Sequence, residues 1–227
     1  MTALHRIEGR AATLGITRSD MTAMRRQAGT CETVQEIINI AVTAEAFAVT
    51  ALGGAIESAV AGALSLTEEA IQALVAARAA EQAHYEFLVE SGAEPLTTTF
   101  TVPDPAILTE ITTFYPTLIA LEEAFIAAYI AAAQVFAIRR EPRLAQIALQ
   151  IGAVEAEHRA GVRFFAITAG AVTGVPNDVA FEKALFTSVG EAAAALEELG
   201  FIGGTGTEIT YPGPGEIDTT GVGELRP

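Results

Sequence analysis

Residues 37–56 read IINIAVTAEAFAVTALGGAI, and in these twenty positions the only acidic or basic side chain is Glu45. The stretch is rich in alanine and other helix-forming apolar residues, so it reads as a helix surrounded by other helices. A lone carboxylate inside such a helix is costly, because an unpaired buried charge is strongly unfavourable. It persists where it has a cation to bind.

The same anomaly recurs downstream. Between Ile111 and Ile138 the only charged residues are Glu122 and Glu123. Two further segments supply matching groups: Glu81-Gln82-Ala83-His84 and Glu155-Ala156-Glu157-His158. Residues three apart on a helix differ by about 60° around its axis. Each Glu-x-x-His step therefore projects both groups from one face. The chain has 3 histidines, and His84 and His158 both stand in these steps, leaving only His5 elsewhere. Glu45 and Glu81 lie 36 residues apart, Glu122 and Glu155 33 apart. The order Glu, then Glu-x-x-His, thus occurs twice at nearly equal spacing. Two helical hairpins packed about a pseudo-twofold axis would bring all six groups together.

Working outward, the sequence predicts helices over 33–57, 67–91, 105–138 and 142–169. Thr33 with Glu36 fits a capping box, and Thr67 precedes two acids that suit a helix start. Gly53-Gly54 weakens the end of the first helix. Gly92 stands where a C-terminal glycine is expected. Pro116 predicts a kink or break in the third helix. The connection at 139–141 is short and implies antiparallel neighbours. Residues 94–105, rich in Thr and Pro, predict an extended path long enough to cross from one end of a bundle to the other. Residues 1–30 read as a leader, 31–170 as the helical domain, and 171–227 as a short helix near 187–199 followed by a Gly/Pro/Thr-rich tail. The tail is expected to lie along the bundle or on a partner subunit.

Composition narrows the function. The net charge of −15 makes nucleic acid an improbable partner. The single cysteine, Cys31, excludes an intramolecular disulfide and a Cys-rich metal site. The segments 37–56 and 111–138 are long enough to span a membrane, but each carries a central carboxylate and much Ala and Thr, so no membrane role is expected. No cleavable signal peptide is legible in 1–30, which predicts a cytoplasmic protein, or an exported one if a leader is missing.

The residues quoted above resemble the ferritin-like superfamily, in which a Glu from each of two helices joins a Glu-x-x-His from each of two others. The stretches carrying the resemblance are Ala44-Glu45-Ala46-Phe47, Ala80-Glu81-Gln82-Ala83-His84, Leu121-Glu122-Glu123-Ala124-Phe125 leading to Tyr129, and Val154-Glu155-Ala156-Glu157-His158-Arg159. Within the superfamily the chain looks like the branch that includes desiccation-related proteins. The resemblance implies an all-α, ferritin-like four-helix bundle with one long crossover connection and a C-terminal extension. It implies metal ligands Glu45, Glu81, His84, Glu122, Glu155 and His158. Glu123 competes with Glu122, and Glu157 with Glu155. In similar proteins the ligand precedes a Tyr by seven residues, which selects Glu122 before Tyr129, and only Glu155 is three before His158. Tyr129 and Tyr85 are candidates to line the site, Tyr129 as a catalytic residue; core packing is the competing role for both.

Four carboxylates and two imidazoles suit two ions of iron or manganese, with zinc also compatible. The expected function is oxidoreductase chemistry on a small oxidant, O2 or H2O2, or on Fe(II): ferroxidase, peroxidase or catalase-like, in stress protection. The alternative is a structural, desiccation-related protein whose metal only staples the bundle. A homo-oligomer is expected, but not a hollow storage shell.

Overall fold

The first helix begins where the capping pattern puts it. Thr33 Oγ1 accepts from the Glu36 amide at 3.1 Å, and the Glu36 carboxylate accepts from the Thr33 amide at 2.7 Å. The computed structural model describes residues 32–227; the leader over 1–30, with His5, and Cys31 lie outside the described residues. The described chain is mostly helical, with five α-helices and one two-stranded sheet.

Helix α1 spans Val34–Val60. It runs past the expected end at 57 and through Gly53-Gly54. Gly53 serves a close approach: a Cβ there would stand 2.5 Å from the guanidinium of Arg78, whose Nε donates to the Val49 carbonyl at 2.9 Å. Helix α2, Glu68–Glu90, is capped by Thr67, which accepts from the Ala70 amide. It closes at Gly92, whose φ of 91° lets the Ala93 amide reach back to the Leu88 carbonyl.

The extended connection that follows contains strand β1, Thr99–Val102, and a 3-10 turn, Pro105–Leu108. β1 pairs antiparallel with β2, Thr207–Thr210, in the register Phe100 opposite Ile209. The tail expected to be irregular therefore supplies a strand to its own chain. Phe100 anchors the connection: its ring packs on Phe47 of α1, which also meets Phe125 and Phe201.

Helix α3 is Ile111–Ile138. It starts after the 3-10 turn rather than at 105, so the interruption falls at 109–110. The helix carries through Pro116, its sixth residue, without the hydrogen bond that an amide there would make to the Thr112 carbonyl. Helix α4, Pro142–Thr168, follows a three-residue turn in which Arg140 takes φ 64° and the Glu141 amide bonds the Phe136 carbonyl. Helix α5, Val189–Glu198, has Ser188 as its N-cap.

Short connections pair α1 with α2 and α3 with α4. One apolar cluster gathers Val42, Phe47, Phe125, Tyr129, Phe136 and Ile151 with α5 and the sheet. A second gathers Leu52, Leu74, Phe114, Tyr115 and Val162 towards the other end. α1 and α3 are long and apolar enough to cross a membrane by length and composition, and each carries a buried carboxylate between these clusters.

Candidate metal centre

Glu45, Glu81, Glu122 and Glu155 stand near the midpoints of α1 to α4, and each is at most 3% exposed. Helix periodicity explains why: each carboxylate lies on its helix's apolar face, in register with the buried residues a turn away. The structure brings all six expected residues into two overlapping groups. Glu45, Glu81, His84 and Glu155 form one; Glu81, Glu122, Glu155 and His158 form the other. Within each group the potential ligand atoms lie within 4.8 Å of one another.

Glu81 and Glu155 belong to both groups, and their oxygens divide between the halves. Glu81 turns Oε2 to His84 Nδ1 at 3.3 Å and Oε1 to His158 Nδ1 at 2.9 Å. Glu155 turns Oε1 to His84 at 3.5 Å and Oε2 to His158 at 3.4 Å. Of the two histidines, Glu45 approaches only His84, at 3.4 Å. The arrangement is one unshared carboxylate and one imidazole per half, with two carboxylates spanning both.

Of these contacts, His84 Nδ1 with Glu81 Oε2 is a hydrogen bond, whereas those of His158 are close without being one. Among the described residues, Glu81 Oε1, Glu122 Oε2, both Glu155 oxygens and His158 Nδ1 are buried with no hydrogen-bond partner. His158 Nδ1 and Glu81 Oε1 are near enough to bond but not aligned to do so. Buried polar atoms are normally satisfied. Several left open around common points, all lone-pair donors, fit a cation between them. A cluster of buried Glu and His that could hold a metal ion is thus present.

The electrostatics agree. Burial raises the Glu45, Glu122 and Glu155 carboxyls above the ordinary range, and neighbouring carboxylates raise them further. Burial raises Glu81 too, but the two imidazoles outweigh it and hold Glu81 well below that range. Burial lowers both imidazoles, yet the carboxylates around them prevail and raise His84 and His158 well above the usual histidine value. Without cations the cluster holds protons instead.

The competing candidates separate cleanly. Glu123 turns away and binds Lys183 Nζ at 2.7 Å. Glu157 is exposed. The Tyr129 hydroxyl donates to Glu45, whereas Tyr85 packs on Tyr211 at 4.5 Å between ring centroids. Two contacts near the site were scarcely marked in the sequence. Arg159, beside His158, is buried and binds Glu182 at 2.7 Å. Tyr211 donates to the buried Gln82 at 3.0 Å. Both contacts join distant segments. A basic residue followed by a carboxylate 23 positions on is the only trace of the first.

The histidines face a groove between α2 and α4 with a volume of about 1040 Å³. The segment 218–227 runs along it. Comparison with protein-family models, with curated proteins and with solved structures gives no match.

Proposed function

We propose that this chain is a ferritin-like four-helix bundle whose six central side chains hold two iron or manganese ions for redox chemistry on O2, peroxide or Fe(II) in stress protection. The observation that carries the proposal is the sharing of Glu81 and Glu155 between two otherwise separate ligand groups. A single-ion site has no use for two spanning carboxylates, and a proton-sharing cluster has no need of them. Oxygen-rich ligands with one imidazole per ion favour iron or manganese, and zinc is also compatible. Two divalent ions match the charge of four carboxylates, which lowers the cost of keeping the site buried.

When bound, such a pair would give electrons to O2 or peroxide and take them from Fe(II) or a second peroxide. The protein's own residues do the rest. Glu81 and Glu155 hold the two halves in register. Glu45 and Glu122 complete each half, and the Tyr129 hydroxyl fixes the orientation of Glu45. The apolar clusters on either side exclude bulk water from the carboxylates.

The test is Fe(II) oxidation and peroxide consumption by metal-loaded protein, against Glu81→Ala. Turnover by the wild type and its loss in the variant is the expected result. Equal rates would overturn the redox reading. If chelation then lowered the melting temperature without any substrate being consumed, the metal would be a structural staple.

A further inference from the structure

A second cavity lies among α1, α3, α4 and α5 and shares Phe87, Ile147 and Ile151 with the histidine groove. Its volume is about 250 Å³, and its walls include Ala41 and Ala44 of α1, Ala128 and Ala132 of α3, Ala148 of α4 and Leu196 of α5. For comparison, a cavity of about 150 Å³ lined by aliphatic and aromatic groups stays dry and admits benzene. Alanines at these positions leave open a space that larger aliphatic residues would fill.

The cavity has two different ends. Tyr129 lines its inner end and donates its hydroxyl to Glu45. Ser91, Leu96 and Glu197 line its outer end, where all three are exposed. Leu96 is a large apolar side chain 66% exposed at that mouth. From His84 to Ser91 along α2 is about 10 Å of helix, which sets the depth between the cluster and the opening.

The interior offers no free side-chain hydrogen-bond donor to an occupant, since the Tyr129 hydroxyl donates to Glu45. Thr43 Oγ1, which also lines it, donates to the Asn39 carbonyl at 2.6 Å and accepts from the Leu96 amide at 2.9 Å. A buried water needs two to four polar partners, so the space favours an apolar occupant throughout its length. At the mouth, Glu197 and a net charge of −15 disfavour an anionic head group.

We infer that this cavity binds an uncharged aliphatic molecule of medium chain length, inserted methyl end first, so that its inner end lies beside Tyr129 and the carboxylate–imidazole cluster. As a binding site the cavity stands on its own geometry. As the assignment of a substrate class it rests on the dinuclear reading above.

The test uses 1-decanol and decanoate as probes with the full chain. Saturable binding of decanol to metal-free protein is expected, with decanoate at least about tenfold weaker, a difference of about 1.4 kcal/mol. Two filling variants, Ala132→Phe and Ala128→Leu, are expected to weaken decanol binding about tenfold or more while metal stoichiometry is unchanged. Their melting temperatures report folding, and either variant alone decides the matter if the other unfolds. In protein loaded with Mn(II), the methyl protons of bound decanol should broaden more than its hydroxymethylene protons.

Absence of saturable decanol binding, or binding unaffected in a folded filling variant, would overturn the site. Equal binding of decanoate would overturn the selection for an uncharged head. Broadening strongest at the hydroxyl end would overturn the orientation and the substrate assignment with it. Decanol binding without any manganese uptake would refute the dinuclear reading and leave the cavity standing. Manganese uptake without decanol binding would refute the cavity alone.

Discussion

Glu81 and Glu155 reach both halves of the cluster, whereas Glu45 and Glu122 reach one each. Their substitutions should therefore differ in kind. Glu45→Ala should reduce metal from about two ions per chain to about one, and Glu81→Ala should abolish tight binding of both, since each half of the proposed two-metal site depends on the spanning carboxylate. Elemental analysis after desalting reads this directly; equal losses in the two variants would contradict the shared geometry. The protons held by the empty cluster give a second prediction. Groups whose folded values are raised, here both imidazoles and the Glu45, Glu122 and Glu155 carboxyls, favour the metal-free fold when protonated. That contribution is complete below their unfolded values and is lost as pH rises through the folded ones. Metal must displace those protons. Metal-free stability should thus fall, and metal affinity rise, as pH increases across neutrality. Calorimetry in buffers of different ionisation enthalpy should show proton release on loading; pH-independent affinity would contradict it. At this scale much was legible in the sequence. A carboxylate isolated in an apolar helix and a histidine three residues after a carboxylate are local signals, whereas the spacing to Tyr129 that parted Glu122 from Glu123 came from the resemblance to similar proteins. The Arg159–Glu182 pair was not legible, because nothing local says which distant carboxylate a buried arginine will meet.

At the scale of elements, α3 and α4 pack tightly where Gly152 faces Tyr129. A Cβ at Gly152 would lie 3.1 Å from the Tyr129 Cβ, whereas nothing stands within 4 Å of one at Gly161 on the same helix. Helix propensity favours alanine over glycine by about 1 kcal/mol at both, but overpacking at Gly152 costs about 1–3 kcal/mol. Gly161→Ala should therefore stabilise and Gly152→Ala should not, as urea unfolding would show. If both stabilise alike, the close approach is wrong. Thr33→Ala should cost about 1 kcal/mol through loss of the capping box, measured in the same way. The capping signals were readable because they are short-range: Thr33 with Glu36, and Thr67 before two acids. The break before α3 was misplaced for the opposite reason. Pro116 carries the strong local signal, yet the helix runs through it, while the actual interruption at 109–110 follows a 3-10 turn set by Asp104 and Pro105.

Across the whole molecule, the pairing of 99–102 with 207–210 closes a long loop, and no periodicity announces a contact between strands so far apart in the chain. Phe100 and Phe201, both packed on Phe47, are what make it favourable. The same tail then reaches the histidine groove. Arg226 binds Glu90 at 2.8 Å, and Arg143 donates to the main-chain oxygen of Pro227 at 2.8 Å. Because 218–227 lines the groove that His84 and His158 face, deleting those residues should speed both metal uptake and its removal by chelator, with stoichiometry unchanged. Stopped-flow chelation would show it, and identical rates would mean that ions enter elsewhere. The central claim meets its most direct test in anomalous diffraction from crystals grown with Mn(II). The account predicts two ions per chain, one beside Glu45 and His84, the other beside Glu122 and His158, both touching Glu81 and Glu155. A single ion, or ions bound only to surface carboxylates, would contradict it.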